Sequence, residues 1–297
     1  MKVLVTGSSG LIGEELVSAL TRQDHQVTRL VRRPAQAGEA TWDPAAGTIE
    51  AEKLEAHDAV VHLAGVGIGD HRWSEDHKRA VMDSRVKGTG LLVSTLAALS
   101  SPPSVLLSGS AVGFYGCEVE LPVTEASPRG AGFLADVVSA WEEAAAPAAD
   151  AGIRVVKVRS GVVLTAKGGA LKKQLLPFKL GVGGRLGTGR QWLSWISLDD
   201  EVAGLIHLLT AEKVEGPVNL TSPEPVTNAE FTATLARVLK RPAFMPVPDR
   251  ALYALFGRQM TEEMLLGGQR VLPAALEVSG FTFAHPDLES ALRHTLA

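Results

Sequence analysis

The chain has 297 residues, of which 45% are hydrophobic and 21% charged, a balance that excludes a disordered or collagen-like polymer. A net charge of −4 provides no overall basic field for nucleic acid, and no apolar run is long enough to span a bilayer. The single cysteine, Cys117, excludes an intrachain disulfide and suits a reducing compartment, and the opening MKVLVTGSSG lacks the regions of a secretory signal. The expectation is a soluble cytoplasmic protein without nucleic-acid or membrane partners. A chain this long buries about three quarters of its unfolded surface, enough for two lobes.

Lys2 to Thr6 is a short apolar run that stops at glycine and is predicted to be a buried strand. Ile12, Leu16 and Leu20, with Val17 beside them, give residues 12–22 one apolar helical face. Strands follow over 26–31 and 58–64, a helix over 74–99, and a strand over 104–108. A helix over 136–151 is kinked by Pro147, and 154–164 reads as a further strand. Alternation of this kind predicts a doubly wound (Rossmann) α/β fold, because parallel strands need crossovers and the crossovers cover both faces of the sheet. Ala166 to Arg190 is glycine-rich around an amphipathic stretch, 171–180, and reads as a mobile covering segment. Strands over 195–197 and 217–220 flank a helix over 199–210, and a helix over 227–239 has Asn228 as its expected cap. Residues 1–164 with 192–222 are assigned to the sheet domain, and 165–191 with 223–297 to a smaller, mostly helical C-terminal substrate lobe.

Gly7, Gly10 and Gly13 form G-x-x-G-x-x-G between the first strand and the first helix. The first glycine permits the tight turn, the second lets a diphosphate approach the backbone, and the third lets helix and strand pack closely. Leu11 and Ile12 open the helix, whose unpaired N–H groups face the anion. The pattern points to a dinucleotide. An acid about 20 residues past the turn would hold the ribose 2′-hydroxyl of NAD. Residues 26–38 contain no acid, and Arg32 and Arg33 stand at the expected position, which favours the 2′-phosphate of NADP. The alternative is that both arginines are solvated surface charges.

With these residues the chain resembles the extended short-chain dehydrogenase/reductase superfamily of sugar-nucleotide epimerases and dehydratases. The resemblance rests on TGSSGLIG at 6–13, DAVVHLAG at 58–65, SRVKGTGLL at 84–92, SGSAVGFYG at 108–116, WISLDDEVAGLI at 195–206 and NLTSPEPVTNAEF at 219–231. TWDPAAGTI, RWSEDHK and GRQMTEEMLLGGQRVLPAAL narrow it to an atypical, epimerase-like group of NADP-binding proteins with no assigned reaction. The resemblance implies that Leu63, Ala64 and Gly65 pass the adenosine side of the cofactor. It also implies that Arg85 reaches its phosphates, that Val163 bonds the nicotinamide amide, and that a homodimer forms through 74–99 and 136–151. Each of these residues has a bland alternative: strand termination for 63–65, a solvated helical arginine for Arg85, and core packing for Val163.

Extended members use a Tyr-x-x-x-Lys pair for proton transfer, and this chain has none. Its tyrosines are Tyr115 and Tyr253, with Val119 and Gly257 four residues on. Aligned on Glu142, Leu134 and Val138 take the places of the pair. Ser110 resembles the superfamily's active-site serine, and Tyr115, in the same loop, is a candidate substitute donor; a buried, hydrogen-bonded phenol is its alternative. Trp192 and Trp195 read as sugar-stacking groups or as core. His62 reads as neutral core. His71 and His77 lack helical i, i+4 spacing, and no metal site is expected. Two functions stay open: an NADP(H)-dependent oxidoreductase or epimerase acting on an unidentified small molecule, nucleotide-linked ones included, and a non-catalytic NADP(H)-binding sensor or regulatory partner.

Overall fold

A computed structural model describes residues 1–117 and 121–297; Val119 lies outside the described residues. In chain order the first elements are β1 (Lys2–Thr6), α1 (Leu11–Arg22), β2 (Gln26–Val31), β3 (Glu39–Asp43), β4 (Thr48–Ile49), β5 (Ala59–His62) and α2 (Glu75–Ala97). Next come β6 (Val105–Ala111), α3 (Phe133–Ala145), β7 (Arg154–Ser160), β8 (Val162–Leu164), α4 (Gly169–Lys179), β9 (Trp192–Leu193), β10 (Trp195–Ser197) and α5 (Leu198–Thr210). The chain then forms β11 (Gly216–Leu220), β12 (Val226–Thr227), α6 (Asn228–Leu239), α7 (Asp249–Phe256), α8 (Arg258–Thr261), α9 (Ala274–Val278) and α10 (Leu288–Leu296).

Eight strands form one sheet in the order β11-β7-β6-β5-β1-β2-β3-β4. β1 pairs in parallel with β2 on one side and β5 on the other, β2 with β3, and β5 with β6. The antiparallel β3/β4 hairpin closes one edge. Chain direction across the sheet reverses between β1 and β5, so the doubly wound fold opens its crevice at the C-terminal ends of those two strands. No helix among the described residues is long and apolar enough to cross a membrane.

The chain divides into two compact units: Met1–Ser110 with Val137–Arg159 and Val202–Val218, and Ala111–Asp136 with Ser160–Glu201 and Asn219–Ala297. The first unit buries Leu4, Leu30, Trp42, Val60, Leu92, Leu96, Leu106 and Ile153 in a common core. Each large apolar side chain so buried contributes roughly 1.5–3 kcal/mol before entropy is subtracted. α2 begins at Ser74, whose hydroxyl accepts from the His77 N–H. α3 gives way at Pro147 to a tight helical turn over Ala146–Ala151, the expected kink. The second unit holds two short sheets, parallel β10/β8 and antiparallel β12/β9. α4, inside the segment expected to be a mobile cover, packs Leu171, Leu175 and Phe178 against Trp195, Phe231 and Leu235 in the core of this unit.

Two sequence expectations are corrected, and one hairpin is added. The strand over 154–164 is two strands, β7 and β8, split at Gly161, where a Cβ would stand 2.6 Å from the Ser194 carbonyl oxygen. The cap of α6 is Thr227, which forms a capping box with Glu230; Asn228 instead accepts from the Leu186 N–H. β3 and β4 were not anticipated, because Asp43 to Gly47 interrupts their apolar pattern with turn residues.

Two buried groups give stability opposite pH dependences. Burial, and then the charge of Arg85, hold the His62 imidazole down at about 4, so its contribution rises with pH until the unfolded imidazole is neutral. Burial pushes the Glu201 carboxyl up from the usual 4.5 to about 8, although Ser160 Oγ donates to it at 2.5 Å. Between pH 4.5 and 8 the folded carboxyl keeps a proton that the unfolded chain has lost, so stability falls as pH rises. Glu201→Gln is therefore expected to gain on the parent by about 1.4 kcal/mol for each unit between pH 5.5 and 7.5 in urea unfolding. A difference that stays constant with pH would show that Glu201 is ionised in the fold.

Candidate functional site

The first unit contains a cavity of about 830 Å³ at the crevice between β1 and β5. Its floor is the turn at 7–10. Gly7 adopts φ +64° and lies so close to β5 that a Cβ would stand 2.7 Å from the Leu63 carbonyl carbon. A Cβ on Gly13 would meet the Gly7 oxygen at 2.2 Å, so helix and strand touch through glycine alone. α1 starts at Gly10 with no side-chain cap, which leaves its first N–H groups to whatever occupies the cavity.

The strand ends are pinned by one hydroxyl. Thr6 Oγ1 accepts from the N–H groups of Leu63 (3.1 Å) and Ala64 (3.2 Å), and it contacts His62 Nδ1 at 2.7 Å. With both lone pairs engaged, the hydroxyl donates to Nδ1, which places the imidazole proton on Nε2, facing Thr89 Oγ1 at 2.9 Å. His62 is thus a neutral core group, fully buried, and the 63–65 backbone is oriented for the cavity wall.

The far wall carries charge. Arg29, Arg32 and Arg33 line it, and so does Glu39, an acid outside the window that the sequence reading searched. Glu39 arrives through strand pairing, since β3 lies beside β2 with Arg29 opposite Glu39. Arg33 holds Glu39 through two hydrogen bonds of 2.7 and 2.6 Å, and the Gln36 N–H adds a third. These bonds, the Arg33 one first, hold the Glu39 carboxyl below its usual range. Arg32 is exposed and has no ion pair among the described residues.

Gly7, Gly10, Arg32, Arg33, Leu63, Ala64 and Gly65 therefore converge on one cavity, with Leu11, Ile12 and Gly13 directly behind it in α1. Arg85 is not among the lining residues. Its guanidinium donates to the carbonyls of Val66 and Val81 and lies 4.8 Å from the Trp141 ring centroid. Burial lowers its pKa to about 10.

Ser110, at the end of β6 in the same unit, donates to Glu142 Oε1 at 2.7 Å. Arg159 Nε and Nη2 bind the two oxygens of Glu142 at 2.7 and 2.9 Å, and all three residues are buried. Glu142 and Arg159 carry no sequence motif that marks them as a pair. The available signal was an acid on the apolar face of α3 and an arginine inside a strand, each needing a buried partner. Val138, on the same helix, is buried, and neither it nor Leu134 brings a titratable group.

Tyr115 and Val163 belong to the second unit. Tyr115 is 1% exposed and donates to Asn219 Oδ1 at 2.7 Å, while Asn219 Nδ2 donates to the Leu272 carbonyl. Val163 pairs with Ile196 in the β8/β10 sheet. Trp195 is fully buried and donates to the Glu224 carbonyl, whereas the Trp192 ring lies 4.9 Å below the Arg270 guanidinium.

Comparison with known proteins adds to this geometry. Residues 3–221 match the model of the NAD dependent epimerase/dehydratase family, and 247–295 match a domain of unknown function. An epimerase family protein of Mycobacterium bovis is 45% identical over 291 residues, covering 98% of this chain and 96% of that protein. The human epimerase family protein SDR39U1 is 39% identical over 300 residues, covering both chains fully. A crystal structure of human SDR39U1 (isoform 2) with NADPH superposes with a TM-score of 0.92 at 38% identity and covers 99% of each chain.

The Tyr115 environment makes a structural role testable. Tyr115→Phe removes the donor that satisfies Asn219 Oδ1 in a buried site, so the expected cost is about 1–3 kcal/mol of unfolding free energy. A variant as stable as the parent in denaturant titration would show that this bond contributes nothing to the fold.

Proposed function

The chain belongs to the NAD dependent epimerase/dehydratase family, and on that premise we propose that it binds NADP(H) in the β1/β5 cavity and uses it in oxidoreductase or epimerase chemistry on a small molecule. The observation that carries the reading is the cavity itself: an uncapped helix N-terminus over glycines that touch backbone, with arginines on the opposite wall. The residues present fit a dinucleotide. The N–H groups of α1 from Leu11 to Gly13 would take the diphosphate, the 63–65 backbone would flank the adenosine side, and Arg32 would meet the 2′-phosphate. The human relative crystallised with NADPH supports the same choice.

When bound, the nicotinamide supplies hydride transfer. Ser110 Oγ has committed its proton to Glu142, so its lone pairs would accept a hydrogen bond from a substrate hydroxyl. Glu142, with both oxygens also on Arg159, orients that serine. A non-catalytic cofactor-binding role is the second reading. It is favoured by apolar Leu134 and Val138, which put no acid or base where the family's tyrosine and lysine stand. Reoxidation of NADPH with a panel of carbonyl compounds separates the two. Turnover in the parent that falls by roughly 10² in Ser110→Ala, with NADPH affinity unchanged, is the expected result. No turnover with any compound, despite tight NADPH binding, would favour the sensor.

Cofactor choice rests on the wall charges. Arg32 is an exposed wall cation without an ion pair among the described residues, whereas Arg33 is spent on Glu39, so Arg32→Ala is expected to weaken NADPH about tenfold or more and leave NADH nearly unchanged. Arg33→Ala strips Glu39 of its partner and leaves a carboxylate facing the 2′-position, which shifts preference toward NADH. Fluorescence titration with both cofactors reads each effect. Equal NADPH and NADH affinities in the parent would overturn the assignment.

A further inference from the structure

Outside the cavity, the second unit brings together three groups that are far apart in sequence. Asp199 stands in the first turn of α5, His294 in the last turn of α10, and His285 in the segment before α10. Asp199 Oδ2 lies 2.6 Å from His294 Nε2 and 3.9 Å from His285 Nε2, and one donor atom from each residue falls within 4.8 Å of the others. The two imidazoles stack, centroids 4.5 Å apart and planes at 27°, and both Nε2 atoms face the same Asp199 oxygen.

The backbones that carry these groups are fixed. The N–H groups of Ala284 and His285 donate to the two oxygens of Asp200 at 2.7 and 3.0 Å, and Ser197 Oγ donates to the same carboxylate at 2.8 Å. α10 is held by Leu288, Ala291 and Leu292, which pack with Phe231 and Leu235. Only side-chain torsions remain to adjust.

We propose that Asp199, His285 and His294 form a site for a zinc-class divalent ion that fastens α10 to the start of α5. A tetrahedral ion bound at about 2.0–2.2 Å needs donors roughly 3.4 Å apart. The present separations bracket that value, and the shortest of them is the hydrogen bond that a metal would replace. Two imidazoles and one carboxylate select zinc, cobalt, nickel or copper over magnesium and calcium, which take oxygen ligands. The side chains of Asp199 and His294 are 50% and 56% exposed, which leaves the fourth position to water. The sequence offers no local spacing for such a site, because its ligands lie in the two regions matched by different family models.

The full chain, treated with EDTA and desalted, is titrated with zinc chloride by calorimetry, with magnesium chloride in parallel. One zinc equivalent is expected, with no magnesium uptake and a higher unfolding temperature in zinc. His294→Gln and His285→Gln are each expected to weaken zinc by roughly 10² or more, since loss of an outer partner alone costs 10 to 100-fold. In the parent, the ring-proton NMR signals of two histidines are expected to shift on zinc addition, a readout that needs no variant. Absence of uptake, uptake unchanged in both variants, or unshifted ring signals for His285 and His294 would each overturn the site.

Discussion

The approach of β1 to β5 at their C-terminal ends is the constraint on which the rest depends. Gly7 lies against the Leu63 carbonyl with no room for a Cβ, and Thr6 Oγ1 gathers Leu63, Ala64 and His62 onto one hydroxyl. A buried hydroxyl with every valence used is rigid, because any shift of one strand end breaks several bonds at once. From that point α1 leaves with bare N–H groups, β2 and β3 extend to one side, and β5 and β6 extend to the other. The cavity is what remains between two halves of a sheet joined this tightly.

The glycine turn, the strand alternation and α2 with its Ser74 boundary were legible in the sequence because each is a local pattern. Glu39 was not. It enters the wall only through the pairing of β2 with β3, and a hairpin that begins in TWDP and returns through TI has too short a period to be read. Glu142 and Arg159 were hidden for a related reason: a buried ion pair is a relation between two elements, and each half taken alone looks like an exception to patterning. Asn228 shows the converse. It is a good cap by type, but its side-chain oxygen accepts from the Leu186 N–H, and Thr227 one residue earlier caps the start of the helix.

Leu134 and Val138 are apolar, yet the same helix buries a carboxylate, Glu142, one or two turns later. Burying Glu142 unpaired would cost several kcal/mol, so Arg159 is as much a condition for that carboxylate as its partner. The charge also gives Ser110 a single orientation, which a neutral acceptor would hold less firmly. Tyr115, by contrast, spends its hydroxyl on Asn219, and its ring is sealed against Val123 and Val271.

Trp42 links the cavity to the interior. Its indole lines the charged wall, meets the His62 ring edge-on with centroids 6.0 Å apart, and sits 3.5 Å from where a Cβ on Gly88 would lie in α2. The ring is 2% exposed, so water quenches it little, and its fixed neighbours hold its transition dipole in one direction. The wall thus contains an oriented emitter, and an occupant that absorbs where indole emits would drain its excited state.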